Sequence, residues 1–119
     1  MKMLKILLLP ILLMIAMPAA AAFAVEKDSG KAPIIIDVRT EAEWTAGHLE
    51  GAVLIPHEQI GARITQVTAD NDSRIYLYCR TGHRSGIAAD TLKKAGYKNL
   101  INLETLENAS KVLNRSVVK

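Results

Sequence analysis

Tyr76-Leu77-Tyr78-Cys79-Arg80-Thr81-Gly82-His83-Arg84-Ser85-Gly86 is the stretch from which the rest of the chain can be read. An apolar, aromatic run ends at Cys79. A short polar loop with Gly82 at its middle follows, and Ser85 opens a helical segment, Ile87 to Ala95. A cysteine therefore stands where a strand hands over to a helix N-terminus. Backbone N–H groups left free at such a place converge and carry partial positive charge. Arg80 and Arg84 add two full charges. These surroundings favour a thiolate over a thiol and would hold an anion in front of it.

Cys79 is the single cysteine of the 119 residues. The N-terminus gives that fact its weight. Lys2 and Lys5 form a short basic region, Ile6 to Met17 is apolar apart from the proline at Pro10, and Pro18 leads into an alanine-rich stretch ending Ala22-Phe23-Ala24. This is the three-part pattern of a secretory signal peptide over residues 1–24, with Val25 as the first mature residue. The rival reading is an uncleaved anchor, since Ile6 to Val25 is 20 residues without a charge. Pro18 and the small residues after it favour cleavage, and the expected location is the periplasm, with no membrane contact once the leader is gone. Structural cysteines usually pair in an oxidising compartment, so one unpaired cysteine is either buried and inert or kept for its reactivity. The residues around Cys79 favour reactivity.

The leader also distorts the composition. It holds two of the 15 basic residues; without it 13 face 12 acidic ones, and the formal charge falls from +3 to +1. That excludes a general polyanion binder. Aromatic residues make up 4% of the chain, too few for a base-stacking surface, so no nucleic-acid partner is expected.

Residues 25–32 are polar and read as a flexible lead-in to one domain, 33–119. Ile34-Ile35-Ile36 is a continuous β-branched run, which suits a strand covered on both faces. Thr40 and Glu43 form a capping box for a helix from Glu41 to about Ala46. Gly47 to Gly51 reads as a turn, and Ala52 to Ile55 as a second strand stopped by Pro56. His57 to Thr68 has helical spacing at Ile60, Ile64 and Val67. Arg74 to Tyr78 is the third strand. Ile87, Ala88, Leu92 and Ala95 form the inner face of the next helix, which Gly96 ends. Tyr97 to Asn102 is a fourth strand, Thr105 to Leu113 a last helix, and the tail to Lys119 is polar. Strands alternating with helices predict an α/β domain: a small, mostly parallel sheet flanked by helices on both sides. Ligands bind beyond the carboxyl ends of such strands, and Cys79 lies at one.

Asp37-Val38-Arg39, Glu43-Trp44, Gly47-His48-Leu49, Gly51-Ala52, Ile55-Pro56 and Cys79-x-x-Gly82-x-Arg84-Ser85, in that order, resemble the rhodanese family over about Pro33 to Ile101. With the leader and the small size, the chain is similar to the periplasmic single-domain rhodaneses of the phage-shock-protein E type. The resemblance implies sulfurtransferase chemistry. A thiolate takes sulfane sulfur from thiosulfate, becomes a persulfide, and passes the sulfur to cyanide or to a small or protein thiol. By position, Cys79 matches the persulfide-forming nucleophile. Arg80, Thr81, Gly82, His83, Arg84 and Ser85 match the loop whose amides surround the transferred sulfur. Many members carry a Gly-Gly pair where this chain reads Asn102-Leu103-Glu104-Thr105-Leu106.

The residue types suit that chemistry. Covalent catalysis splits sulfur transfer into two steps, each with negative charge on sulfur, and fixed N–H donors stabilise such charge with little reorganisation. Gly82 allows backbone angles that turn amides inward. Arg84, with Arg80, would neutralise a dianionic donor. The enzymatic alternative is a cysteine phosphatase or arsenate reductase, whose usual spacing is Cys-x5-Arg; here it is Cys-x4-Arg, and no separate acid is evident. A third reading is a persulfide carrier or sulfide-binding module that works with a partner protein. No His/Cys cluster has ligand spacing, so neither metal nor organic cofactor is implied. The expected state is a monomer.

The remaining polar residues have plainer readings. Asp37 and Arg39 are either catalytic or a charge pair holding a strand end, the latter preferred. His48 is structural, His57 starts a helix at the surface, and Trp44 covers core. His83 either acts on protons or faces solvent, the latter preferred. Glu104 and Glu107 either flank the site or belong to a solvated helix face, the latter preferred. N-terminal sequencing of the exported protein should begin near Val25; an intact Met1 in the membrane fraction would instead establish the anchor.

Overall fold

The computed structural model describes residues 32–119. The leader and nearly all of the lead-in lie outside the described residues. Among the described residues no helix is long and apolar enough to cross a membrane.

The elements in chain order are β1 (Ile34–Asp37), α1 (Glu41–Ala46), β2 (His48–Leu49), β3 (Val53–Leu54), α2 (Ile60–Arg63), β4 (Arg74–Cys79), α3 (His83–Lys94), β5 (Asn99–Thr105), α4 (Leu106–Leu113) and β6 (Val117–Val118). Four strands form one sheet in the order β3-β1-β4-β5, every neighbouring pair parallel. The β-branched run of β1 and the apolar run of β4 therefore lie side by side at the sheet centre, where both faces are covered.

Alternation along the strands sorts side chains into two cores. Ile36, Leu77 and Cys79 pack with Ile60 and Ile64 of the α2 region and with Ala88 and Leu92 of α3. Ile35 and Tyr78 point the other way, onto Leu49, Leu103 and Ala109 of α4. Helices thus flank the sheet on both sides, as the pattern predicts. The capping box of α1 also forms: Thr40 Oγ1 accepts from Glu43 N–H at 3.2 Å, and Glu43 Oε1 accepts from Thr40 N–H at 3.0 Å.

Four local expectations change. Gly47–Gly51 is not only a turn, because His48–Leu49 pairs antiparallel with Val117–Val118, drawing the polar tail into the domain. That pairing joins residues distant in sequence, which no local pattern encodes. The segment after Pro56 is not one helix but a 3-10 turn, the single turn of α2 and a second 3-10 turn. Gly61 and the β-branched residues around it are poor helix formers, and Ile60 and Ile64 hold the segment by burial. In α3, Ile87 is exposed, while Ser85, Ala88 and Leu92 are the buried positions. Finally, β5 runs on to Thr105. Its register against β4 shifts between Leu77 and Tyr78, so that Leu103 is an extra residue in the strand.

The end of β1 is fixed by a buried ion pair. Asp37 has no exposed surface and Arg39 is 6% exposed. Arg39 Nη2 lies 2.7 Å from Asp37 Oδ2 and donates to the Gly47 carbonyl at 2.7 Å, and Arg39 N–H donates to Asp37 Oδ1 at 2.9 Å. Burial works against the Arg39 charge, but the Asp37 carboxylate overrides it and holds the guanidinium above its usual pKa. Asp37→Ala would leave that cation buried and unpaired, so it should cost about 3–5 kcal/mol in urea unfolding. A loss below about 1 kcal/mol would show that the pair does not hold the strand end.

Candidate active site

Cys79 is the last residue of β4, at the carboxyl end of a central parallel strand. The three residues after it turn the chain into α3. Gly82 caps that helix at φ +100°, ψ −13°, in the left-handed region. A Cβ there would also meet Glu104 side-chain atoms at 3.2 and 3.3 Å. Glycine is thus required both by the backbone angle and by the close approach of β5.

This turn aims amides at the sulfur. Gly82 N–H donates to Cys79 Sγ at 3.0 Å, and Ser85 Oγ lies 3.4 Å from it. Burial pushes the Cys79 thiol up. The Ser85 hydroxyl and the backbone N–H groups of Ser85, Gly82 and Thr81 push it down, and together they outweigh burial, so the thiol sits below its ordinary pKa.

Cys79 forms part of the floor of a cavity of about 360 Å³, lined also by Arg39, Arg80, Thr105, Leu106 and Glu107. The residue itself has no surface open to bulk water. The cations at this cavity are Arg39 and Arg80, the latter with a side chain 71% exposed. The first turn of α4, capped by Thr105 Oγ1 on Asn108 N–H at 3.0 Å, forms the opposite wall.

Arg84 is placed differently. Its Nη1 and Nη2 donate to the two Glu43 oxygens at 2.8 and 3.0 Å, a bidentate fork. It lines a separate groove with His57 and Thr40 rather than the cavity over Cys79. Glu43 Oε2 is also 3.7 Å from Arg80. The bond from Arg84 is the main cause that holds the Glu43 carboxyl down at about 2. Glu43 therefore ties the cap of α1 to both arginines of the cysteine loop.

His83 is the exposed first residue of α3, and its N–H donates to Thr81 Oγ1 at 3.4 Å. His48 Nδ1 meets the Trp44 carbonyl at 2.9 Å and its ring stacks on Trp44 at 3.5 Å; it is not among the residues that line the cavity. Other residues join the site whose preferred sequence reading is structural, or which the motifs do not single out. Arg39, just past the end of β1, and Glu107, in the first turn of α4, both line the cavity. Asn102 accepts from Ser85 Oγ at 2.7 Å behind the sulfur. The signal for Asn102 is positional: a short polar residue near the carboxyl end of the strand beside the cysteine strand.

A buried cysteine sulfur that meets the backbone amide of a left-handed turn, at the carboxyl end of a parallel sheet and beside a cavity with two arginines in its lining, defines an α/β domain with a cysteine loop at its centre. The family model described as "Rhodanese-like domain" matches residues 20–105. The chain belongs to that family. It is 32% identical over 73 residues to the thiosulfate sulfurtransferase PspE of Escherichia coli, covering 61% of this chain and 70% of that protein. It is 39% identical over 77 residues to the probable adenylyltransferase/sulfurtransferase MoeZ of Mycobacterium tuberculosis, covering 65% of this chain and 20% of that one. It is also 39% identical over 82 residues to the putative sulfur carrier protein YrkF of Bacillus subtilis, covering 69% of this chain and 43% of that one. The chain thus spans from a fifth to about half of the length of the first curated relatives it matches. Among solved structures, a rhodanese with anions from E. coli superposes with a TM-score of 0.68 at 30% identity, covering 74% of this chain and 99% of that one.

The Glu43 fork has a pH signature. A carboxyl depressed from 4.5 to about 2 in the folded state contributes stability above pH 4.5 that is lost as pH falls toward 2. The stability difference between wild type and Glu43→Gln should therefore shrink across that window in acid urea titrations. A difference that stays constant from pH 6 to about pH 2 would remove the fork from the stability of the loop.

Proposed function

We infer that this domain is a sulfurtransferase that moves sulfane sulfur through a persulfide on Cys79, with thiosulfate as donor and cyanide or a thiol as acceptor. The observation that carries this reading is the buried sulfur of Cys79 held 3.0 Å from the Gly82 amide, in a residue that lines a cavity together with Arg39 and Arg80. The family and the named activity of PspE, a relative of similar size, support the same chemistry.

In the first step the Cys79 thiolate attacks the outer sulfur of thiosulfate. A new S–S bond forms, the S–S bond of thiosulfate breaks, and its electron pair leaves with sulfite. The enzyme then carries Cys79–S–S⁻, whose terminal charge the loop amides can bind with little reorganisation. In the second step cyanide attacks the terminal sulfur. A C–S bond forms, the persulfide S–S bond breaks, its pair returns to Cys79 as thiolate, and thiocyanate leaves. Arg80 supplies the mobile cation at the cavity mouth, while Arg39 supplies a fixed one deeper in. Arg84, held on Glu43, orients the loop. The leader pattern supports a periplasmic setting for this activity, after cleavage near Val25.

A carrier reading shares the persulfide and differs in the acceptor. It is supported by the likeness to the putative sulfur carrier protein YrkF. The phosphatase alternative loses ground, because the loop arginine that would grip phosphate is already committed to Glu43.

Intact mass before and after thiosulfate should show a gain of about one sulfur atom on Cys79, removed by cyanide, and none in Cys79→Ser. An adduct that forms but resists cyanide would favour the carrier. A folded protein with a free thiol and no adduct would overturn the persulfide mechanism with this donor.

A further inference from the structure

Behind Cys79 lies a polar chain whose proton positions are fixed by geometry. Asn102 Oδ1 accepts from the backbone N–H of Glu104 at 2.9 Å, and Asn102 Nδ2 faces the Gly82 carbonyl at 3.4 Å. A backbone N–H can only donate, so this pairing settles which end of the amide is the oxygen. The same Oδ1 lies 2.7 Å from Ser85 Oγ. An amide oxygen cannot donate, so Ser85 must. The hydroxyl has one proton, and three acceptors surround it: Asn102 Oδ1 at 2.7 Å, the Gly82 carbonyl at 3.3 Å and Cys79 Sγ at 3.4 Å. The shortest contact takes the proton. Ser85 then presents lone pairs to a thiol S–H, and it lends its proton to a thiolate only by releasing Asn102.

We propose that Asn102 is a positioning residue that restrains ionisation of Cys79 by drawing the Ser85 proton away from the sulfur. Charge on the sulfur has to pull that proton off Asn102 before Ser85 can support it. The stabilisation that Ser85 gives the thiolate is therefore net of a broken bond. This tuning has a chemical use. Thiolate nucleophilicity falls as thiol pKa falls, and the best attacking thiol has a pKa near the ambient pH. The amides and arginines around Cys79 all push toward ionisation, and Asn102 pushes back. The inference rests on Cys79 being the reacting group.

Other charges act on Cys79 as well. The Asp37–Arg39 pair reaches it from β1, Arg80 from the loop, Arg84 on Glu43 from α3 and α1, Glu104 from β5 and Glu107 from α4. None is altered in the variants below, so their field is common to every comparison.

The test is the pH dependence of the reaction of the purified protein with dipyridyl disulfide, which reads Cys79 alone because it is the single cysteine. Asn102→Leu removes the acceptor at similar volume. It should lower the midpoint of thiol reactivity by about one pH unit, the worth of one hydrogen bond. It should also lower the limiting rate at high pH about threefold. Both effects should vanish in Ser85→Ala, where there is no proton to compete for. An unchanged or raised midpoint, or the same shift without the hydroxyl, would overturn the proposal. If Asn102→Leu does not fold, Asn102→Ala carries the test with the same sign and adds no charge. Its midpoint should fall, and the fall should vanish in Ser85→Ala; no fall, or a fall that persists there, would overturn the proposal. The assay uses no sulfur donor, so its outcome is independent of whether thiosulfate forms a persulfide.

Discussion

A sulfur that must carry negative charge without facing bulk water has to be met by donors already in place. That constraint governs the centre of this domain. Cys79 is buried among Ile36, Leu77 and Ala88, yet its sulfur receives the Gly82 amide at 3.0 Å. The left-handed turn at Gly82 makes both facts possible, since it ends a central strand and starts a helix within three residues. The parallel sheet supplies the stiffness. Its two cores fix β4 from both faces, so the loop is anchored at Cys79 on one side and by the buried Ser85 and Ala88 of α3 on the other.

The arginines around this centre have separate tasks, because each is bound differently. Arg39 is buried against Asp37 and the Gly47 carbonyl, so it is a fixed charge. Arg84 is held in a fork by Glu43, so it braces the loop. Arg80 has only a 3.7 Å contact and a mostly exposed side chain, so it can follow an incoming anion. One carboxylate, Glu43, both caps α1 and restrains the loop. The first helix is therefore part of the site although none of its residues lines the cavity.

The sheet and the cysteine loop were legible because their signals are local. A β-branched triplet, a capping box from Thr40 to Glu43 and a strand ending in Cys79-x-x-Gly82 each occupy a few adjacent residues. What escaped was set by contacts between distant residues. The pairing of His48–Leu49 with Val117–Val118 has no signature in either segment. The Arg84 fork joins residues 41 positions apart, so spacing in the loop does not reveal it. The helix after Pro56 looked regular from Ile60, Ile64 and Val67, but that period records burial, which a broken helix can also satisfy.

The departure from the Gly-Gly pattern is the most informative of these. Glu104 adopts φ +73°, a conformation that costs a non-glycine residue about 1–3 kcal/mol. An extra residue in β5 forces the chain there, and Glu104 side-chain atoms close against Gly82. The bond from Glu104 N–H to Asn102 Oδ1 offsets part of that cost, and the same oxygen holds the Ser85 proton. The strain of β5 and the protonation of the cysteine loop thus meet at one side chain. A segment that looks like a loss of family pattern in the sequence is, in three dimensions, the back wall of the site.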